Sequence, residues 1–326
     1  MKSTLHILTI VLVVSLTFSC TSQLNNKTLK LAHGHNLNHP IHQAMVFMQE
    51  KLDEKSGGQL QLEIYPSQQL GTERQALELL QIGSLELTKV SGAIMENFAP
   101  AMKCFSFPYM FRNREHMYKV QDGTIGRSLL AESEKFWLRG LGYFDAGQRS
   151  FYTKDRQIET PANLEGLKIR VQESAMAMEL VRSLGGSPTP ISWGELYSAL
   201  QQGVVDGAEN NPPSFIASRH YEICKYYSLN EHTAVPDILV IGKTAWSSLS
   251  DQEKQWLQEA SDEAIDYQRK LWVEEETRAL KIAEEAGVEI IRPNKVNFAK
   301  LTEPLLEQYK KDERMASLIN QIQSVQ

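Results

Sequence analysis

Twice along this 326-residue chain, β-type and helical segments alternate in a regular rhythm. The first run begins near Thr28. Residues 28–33 read as a strand, and residues 41–55 follow as a helix with Ala44, Phe47, Met48 and Leu52 on one face. Gly57 and Gly58 end that helix. Leu60–Tyr65 alternates polar and apolar residues, as a half-buried strand does. Thr72 is placed to cap a helix over Glu73–Ile82, Gly83 closes it, and residues 85–90 make a third strand. A helix between two strands is the crossover that returns the chain to the same end of a sheet, so this order predicts a parallel α/β sheet.

The rhythm resumes after Gly147. Strands are expected at 150–153 and 167–171, helices at 175–184 and 193–202, and a short strand with a turn at 204–209. A further strand, 238–241, follows Pro236. The chain thus builds one α/β domain, crosses to another and crosses back. Ala146-Gly147 and Pro236-Asp237 are the hinge candidates, because hinges absorb backbone rotation at element ends. Residues 250–285 are strongly helical. Asp251 is expected to cap the start, and Trp256, Ala260, Ala264, Tyr267, Leu271 and Trp272 form the apolar stripe. The charged run 274–276 is a solvated face. The expected division is residues 28–146 with 237–275 in a first lobe, and 147–236 with 276–326 in a second.

The N-terminus reads as a targeting segment. Lys2 precedes an apolar run, 5–18, too short for a confident membrane span, which ends at L-T-F-S-C. It looks like a bacterial lipoprotein signal over residues 1–20, with Cys20 as the lipid site and 21–27 as a tether. The expected location is periplasmic, held at the membrane by that lipid. A net charge of −6 argues against a nucleic-acid partner, which needs clustered Lys and Arg. Cys104 and Cys224 have no metal-type spacing and read as separate buried thiols. Nucleophile-elbow, P-loop, dinucleotide and H-E-x-x-H motifs are absent, and the expectation is a non-enzyme without a cofactor.

Arg170 lies between Ile169 and Val171 in an apolar strand, where a buried cation needs an anion. Its planar fork matches a carboxylate with two parallel hydrogen bonds. The polar turn at Glu209, Asn210 and Asn211 can bring amide groups beside it, and an amide both donates and accepts. Glu73, in the first turn of a helix, either complements the helix dipole or accepts from ligand hydroxyls. His33, His35, His39 and His42 crowd into ten residues. That leaves a zinc site open as an alternative, although Pro40 breaks any single helix through the group. A secreted carbohydrate-acid hydrolase using Glu73 and Glu209 as paired carboxylates is a second alternative.

Several stretches together resemble one family. They are G-L-K-I-R-V at 166–171, L-G-G-S-P-T-P at 184–190, G-E-L-Y-S-A-L-Q-Q-G-V-V-D-G at 194–207 and E-N-N-P at 209–212. Y-P-S-Q-Q-L-G-T-E-R at 65–74 and F-P-Y-M-F-R at 107–112 belong with them. The set is similar to the solute receptors of tripartite ATP-independent periplasmic (TRAP) transporters. The resemblance implies a two-lobed periplasmic binding-protein fold with a central cleft and a long helix bracing both lobes. It implies capture of a small organic acid and delivery to the permease subunits in the membrane. By matching positions, Arg170 pairs with the ligand carboxylate, Asn210 is the ligand-binding asparagine and Arg149 is a second ligand-binding arginine. The loop after the first strand sits at the pocket mouth, with His33, Asn36 and His39 as cleft residues. Ser91, Trp193, Asn211 and Asp237 are further pocket candidates. Residues 206–215 and 220–232 look most like the sugar-acid branch, which implies a hexuronate or related acid. A C4-dicarboxylate is the alternative within the family.

Overall fold

The structure, a computed structural model, describes residues 26–326. The expected signal segment with Cys20, and most of the tether, lie outside the described residues. The strands are β1 (Lys27–Ala32), β2 (Leu60–Tyr65), β3 (Leu87–Ser91), β4 (Leu138–Phe144), β5 (Arg149–Thr153), β6 (Lys168–Val171), β7 (Ser187–Pro190), β8 (Gly207–Asn210), β9 (Tyr226–Thr233), β10 (Asp237–Gly242) and β11 (Glu289–Ile291). The helices that matter below are α1 (Pro40–Ser56), α2 (Glu73–Ile82), α3 (Ala175–Ser183), α4 (Pro212–Ala217), α5 (Lys243–Ser248), α6 (Asp251–Glu285), α7 (Lys295–Tyr309) and α8 (Glu313–Ser324).

Two sheets form two lobes. The first runs β2-β1-β3-β10-β4 and the second β11-β9-β5-β8-β6-β7. Neither is purely parallel, which corrects the expectation. β1, β2 and β3 are parallel, but β10 is antiparallel to β3 and β4. In the second sheet β6, β7 and β8 are parallel, whereas β5 is antiparallel to β8 and β9. The reversed strand is in each case the one the chain enters on crossing from the other lobe. Such a strand starts at the cleft edge and runs away from it. The strands fed by helices start at the far edge and run towards it. The carboxyl ends of β3, β6 and β8 and the amino ends of β5 and β10 therefore all meet at the cleft. That is the end of an open α/β sheet where ligands bind.

Each sheet is covered on both faces. In β10, Ile238 and Val240 enter one core with Val90, while Leu239 and Ile241 enter the other with Leu87. The alternation follows from the two-residue period of a strand. On the second face α1 contributes Ala44, Met48 and Leu52, as its spacing predicts, but Phe47 stays at the rim and stacks on Tyr267, with ring centroids 4.5 Å apart. Cys104 and Cys224 are buried and unpaired, one in each lobe's core.

The long helix α6 spans 35 residues, about 50 Å at 1.5 Å per residue. Its cap is Ser250, not Asp251: the Ser250 hydroxyl accepts from Glu253 N–H, and Glu253 reaches back to Ser250 N–H. Leu257, Ala260, Ala264 and Trp272 pack into the first lobe, and Ala283 into the second. One rigid element thereby braces both lobes. α8 does not stay with the second lobe, where 276–326 was expected to lie. Its stripe of Met315, Ile319 and Ile322 buries in the first lobe's core beside Val120 and Leu129. His116 Nε2 and the Ile322 carbonyl, 2.9 Å apart, hold it there. Similarly, the expected helix 193–202 is a 3₁₀ turn, Trp193–Glu195, followed by a short helix, Leu196–Gln201.

Candidate ligand-binding site

Between the lobes lies a cavity of about 610 Å³, counting the part open at its mouth. The lobes touch around it. Ser91 Oγ donates to Gln172 Oε1 (3.2 Å), Asn97 Nδ2 to the Glu173 carbonyl (2.7 Å), and Asn36 Nδ2 to the Ala217 carbonyl (2.6 Å).

The first lobe's wall is built on the ends of β3 and β10. Lys89 shares the two-residue period of Leu87, and its register opposite Leu239 sets Asp237 diagonally beside it. Lys89 is fully buried. Its Nζ lies 2.9 Å from Glu73 Oε1, 3.1 Å from Asp237 Oδ2 and 2.9 Å from His35 Nε2. Burial works against the Lys89 charge, but Asp237 and Glu73 outweigh it and hold its pKa above the ordinary lysine value. Glu73 is fixed at the start of α2 by the Thr72–Gln75 capping box behind it. Its second oxygen accepts from Ser91 N–H at 3.1 Å. Each Glu73 oxygen therefore accepts one protein bond and keeps a lone pair for a hydroxyl. Deep in this wall two carboxylates thus share one lysine, while Arg74, paired with Glu78 and exposed, adds a second cation at the mouth.

The second lobe's wall holds a buried cation that no carboxylate pairs with. Arg170 is 2 % exposed. Its Nε donates to the Ile191 carbonyl at 2.9 Å, and its guanidinium lies 5.7 Å from the Trp193 ring centre. Among the described residues it makes no salt bridge, and burial lowers its pKa from the ordinary arginine value. The four N–H groups on its terminal nitrogens are the unspent fork. Arg149 is different. Its Nε and Nη2 grip both oxygens of Glu209 at 2.5 and 2.7 Å, Nη2 also donates to the Glu209 carbonyl, and Nη1 donates to Asn210 Oδ1 at 3.0 Å. One N–H of five remains. Burial opposes the Glu209 charge, yet Arg149 prevails and takes the carboxyl down to about 2. A carboxylate so held does not donate a proton near neutrality, and Glu209 lies outside the cavity lining. The paired-carboxylate hydrolase reading loses its second member.

Arg170, Arg149, Asn210, Asn211, Glu73, Ser91, Trp193 and Asp237 all line the cavity. They are not equivalent. Asn210 spends its oxygen on Arg149 and Asn211 N–H, which turns its Nδ2 into the free group. Asn211 is spent at both ends: it caps α4 by accepting from Ser214 N–H, and Nδ2 donates to the Ala146 carbonyl. His33, Asn36 and His39 do not line the cavity. His33 Nε2 faces His42 Nδ1 at 3.1 Å, and its Nδ1 accepts from His35 N–H. His39 caps α1 through Nδ1 and meets Ser214 Oγ through Nε2, 3.1 Å away. Burial and Lys89 push His33 down to about 3, and burial also lowers His35 and His39, so the group is uncharged at neutral pH. Among the described residues no cluster of three or more His, Cys, Asp or Glu side chains is disposed to hold a metal ion.

Sequence reasoning missed Lys89, His35, Gln68 and Gln172 in the lining. Lys89 had a signal. It sits between Thr88 and Val90 in an apolar strand run, the same pattern that singles out Arg170.

The profile of the family described as bacterial extracellular solute-binding protein, family 7 (DctP), matches residues 31–314. Among solved structures, a TRAP periplasmic solute-binding protein from Bradyrhizobium sp. BTAi1, in complex with D-galacturonate, is 38% identical, with a TM-score of 0.89, covering 91% of this chain and 99% of that one. One from Citrobacter koseri with bound D-glucuronate is 36% identical, with a TM-score of 0.88, covering 92% and 100%. One from Polaromonas sp. JS666 bound to D-erythronate is 28% identical, with a TM-score of 0.90, covering 92% and 99%. With its two lobes, its cleft and a family match across nearly the whole described chain, this protein belongs to the family 7 extracellular solute-binding proteins, the solute receptors of TRAP transporters.

Proposed function

We propose that this receptor captures a hexuronate, glucuronate or galacturonate, and delivers it to a TRAP permease. The observation that carries the reading is one buried, unpaired cation placed opposite carboxylates that keep free lone pairs. A lone buried arginine, Arg170, faces a wall in which Glu73 and Asp237 outnumber Lys89. A sugar acid has one charged end and several hydroxyls. Its carboxylate suits the Arg170 fork, with Asn210 Nδ2 and the remaining Arg149 N–H beside it. Its hydroxyls suit Glu73, since a carboxylate only accepts and a hydroxyl can donate. A C4-dicarboxylate would set its second carboxylate against two carboxylates, which costs binding energy. The uronates bound to the Bradyrhizobium and Citrobacter proteins support the same choice.

In this reading the lobes open and close about residues 145–148 and 234–236, and ligand favours the closed form only by its better affinity for it. Cys20 carries the lipid that keeps the receptor at the membrane. Calorimetric titration with D-glucuronate, D-galacturonate, D-erythronate and succinate tests the ligand class. Binding of either uronate, tighter than erythronate and with succinate weak, is the expected result. Succinate binding with no heat from either uronate would reject it.

A further inference from the structure

β1, β2, β3 and β4 all begin, and β10 ends, at the pole of the first lobe opposite the cleft. This pole carries two of the large apolar side chains that stand exposed among the described residues. Trp137 is 56% exposed and Ile82, at the end of α2, is 73% exposed. They are brought together by neighbouring contacts: Gln81 Nε2 donates to the Phe136 carbonyl, Lys243 N–H donates to the Trp137 carbonyl, and Gly83 lies against Thr244. Trp246 on α5 and Trp256 near the start of α6 are half-buried against the core of the same lobe, Trp256 three residues after the Glu253 that holds Lys27. Three of the chain's five tryptophans therefore gather at one end, away from the ligand. Trp137 takes a left-handed backbone, φ 63°, which a bulky residue adopts only under constraint, and its side chain still faces solvent.

Cationic heads flank these rings. Lys243 lies 5.5 Å from the Trp137 ring centre, Arg139 4.4 Å and Lys254 5.9 Å from that of Trp246. Glu134 pairs with Arg139 and Asp251 with Lys254, so the pole is not strongly basic. Lys243 makes no salt bridge among the described residues. Indole rings beside cationic heads are the composition that settles at the level of lipid headgroups, apolar face inward and polar edge wet.

The chain's own course names the occupant. β1 starts at this pole, where Lys27 Nζ is bonded to the Ser248 carbonyl and to Glu253. Cys20 precedes Asn26 by six residues, which reach about 20 Å when fully extended. We infer that the pole formed by Ile82, Trp137, Lys243 and Trp246 is a membrane-contact face, seated on phospholipid headgroups by the short N-terminal anchor. The inference rests on Cys20 carrying a lipid. A short tether makes the contact intramolecular, so a weak aromatic surface suffices once the chain is anchored. The cleft, at the other end of the same strands, stays open to solvent.

The full chain, expressed with its N-terminus and purified from membranes, tests this in vesicles of phosphatidylethanolamine and phosphatidylglycerol with and without brominated acyl chains. Bromine quenches only tryptophans at the bilayer. Quenching of the anchored protein is expected, reduced by more than half in Trp137→Phe and unchanged in Trp272→Phe, whose ring is fully buried in the first lobe. Quenching in Cys20→Ser, mixed with the same vesicles, should be lost. Intact mass reads the anchor independently. An acylated protein with no bromine quenching would overturn the contact face while leaving the anchor standing. A protein without acyl mass would overturn the anchor reading and the inference with it.

Discussion

Arg170→Met separates the role of a lone buried charge from that of a packing residue. With the lobes in contact, Arg170 is 2% exposed, with one carbonyl and one indole ring for company and no carboxylate paired to it. Burying an uncompensated cation costs several kcal/mol, and the depressed pKa of Arg170 has the same origin. Without ligand, that cost opposes closure. A ligand carboxylate cancels it and adds a bidentate, charge-assisted pair. Methionine keeps much of the stem and removes the charge. Loss of the pair should cost about 2–5 kcal/mol of binding, or from roughly 30-fold to several-thousand-fold in Kd. The same substitution should make the ligand-free protein close more readily. Calorimetry reads the first effect. Small-angle scattering reads the second, as a ligand-free radius of gyration shifted towards the wild-type, ligand-bound value. Uronate affinity within about fivefold of wild type would refute the anchor. Lost affinity with an unchanged ligand-free radius would refute the claim that the bare charge holds the lobes apart.

Three further outcomes are expected. Glu73→Gln should weaken uronate binding by about 1.5–3 kcal/mol, the range for hydrogen bonds to a charged group, and leave any residual succinate binding intact, both read by calorimetry. Asn210→Ala should reduce affinity. Asn211→Ala should mainly lower the melting temperature, because it removes the α4 cap, a loss of about 1 kcal/mol; thermal melts with and without glucuronate distinguish the two. The third concerns acid. Burial pushes His33 and His220 down to about 3, so each is neutral when folded while its unfolded form protonates near 6.5. The unfolded state then binds more protons between about pH 6.5 and 3. Stability is full above that window and falls with decreasing pH, by at most about 1.4 kcal/mol per pH unit for each histidine. Denaturant melts between pH 7 and 4 should show this slope, and His220→Phe should flatten it. A variant slope equal to wild type would remove His220 from the account.

Much of this fold is legible in local chemistry. The αL glycine at Gly57 and the Thr72 capping box bound their helices where sequence puts them, because caps are settled within four residues. The strand lengths follow from period-two alternation. What sequence does not carry is direction. A strand of given pattern reads alike whether its neighbours run with it or against it, so the helix-linked β1, β2 and β3 are legible as parallel while the directions of β5 and β10 are not. The end of α8 is illegible for a similar reason. An apolar stripe specifies that a helix is covered, and both lobes offer apolar cover.

The site shows the same limit at the level of single charges. Arg149 and Arg170 are both arginines in buried strands, and both were expected to bind the ligand, Arg170 as the anchor and Arg149 as a second cation. Their difference is decided by register. β5 runs against β8 so that Ser150 faces Asn210 and Phe151 faces Glu209. This sets Arg149 beside a carboxylate that it grips with two nitrogens, and its charge is spent. β6 runs with β8 and pairs Arg170 with Ala208, so Glu209 is not its partner. β7 on the other side offers Thr189, and the charge stays unpaired. Lys89 is the converse case. Its partners, Glu73 and Asp237, lie 16 residues before it and 148 after it, and only the pairing of β3 with β10 and the packing of α2 bring them together. A buried cation can be found from its apolar neighbours in the chain. Whether it is free to hold a ligand depends on which acids the sheet sets beside it.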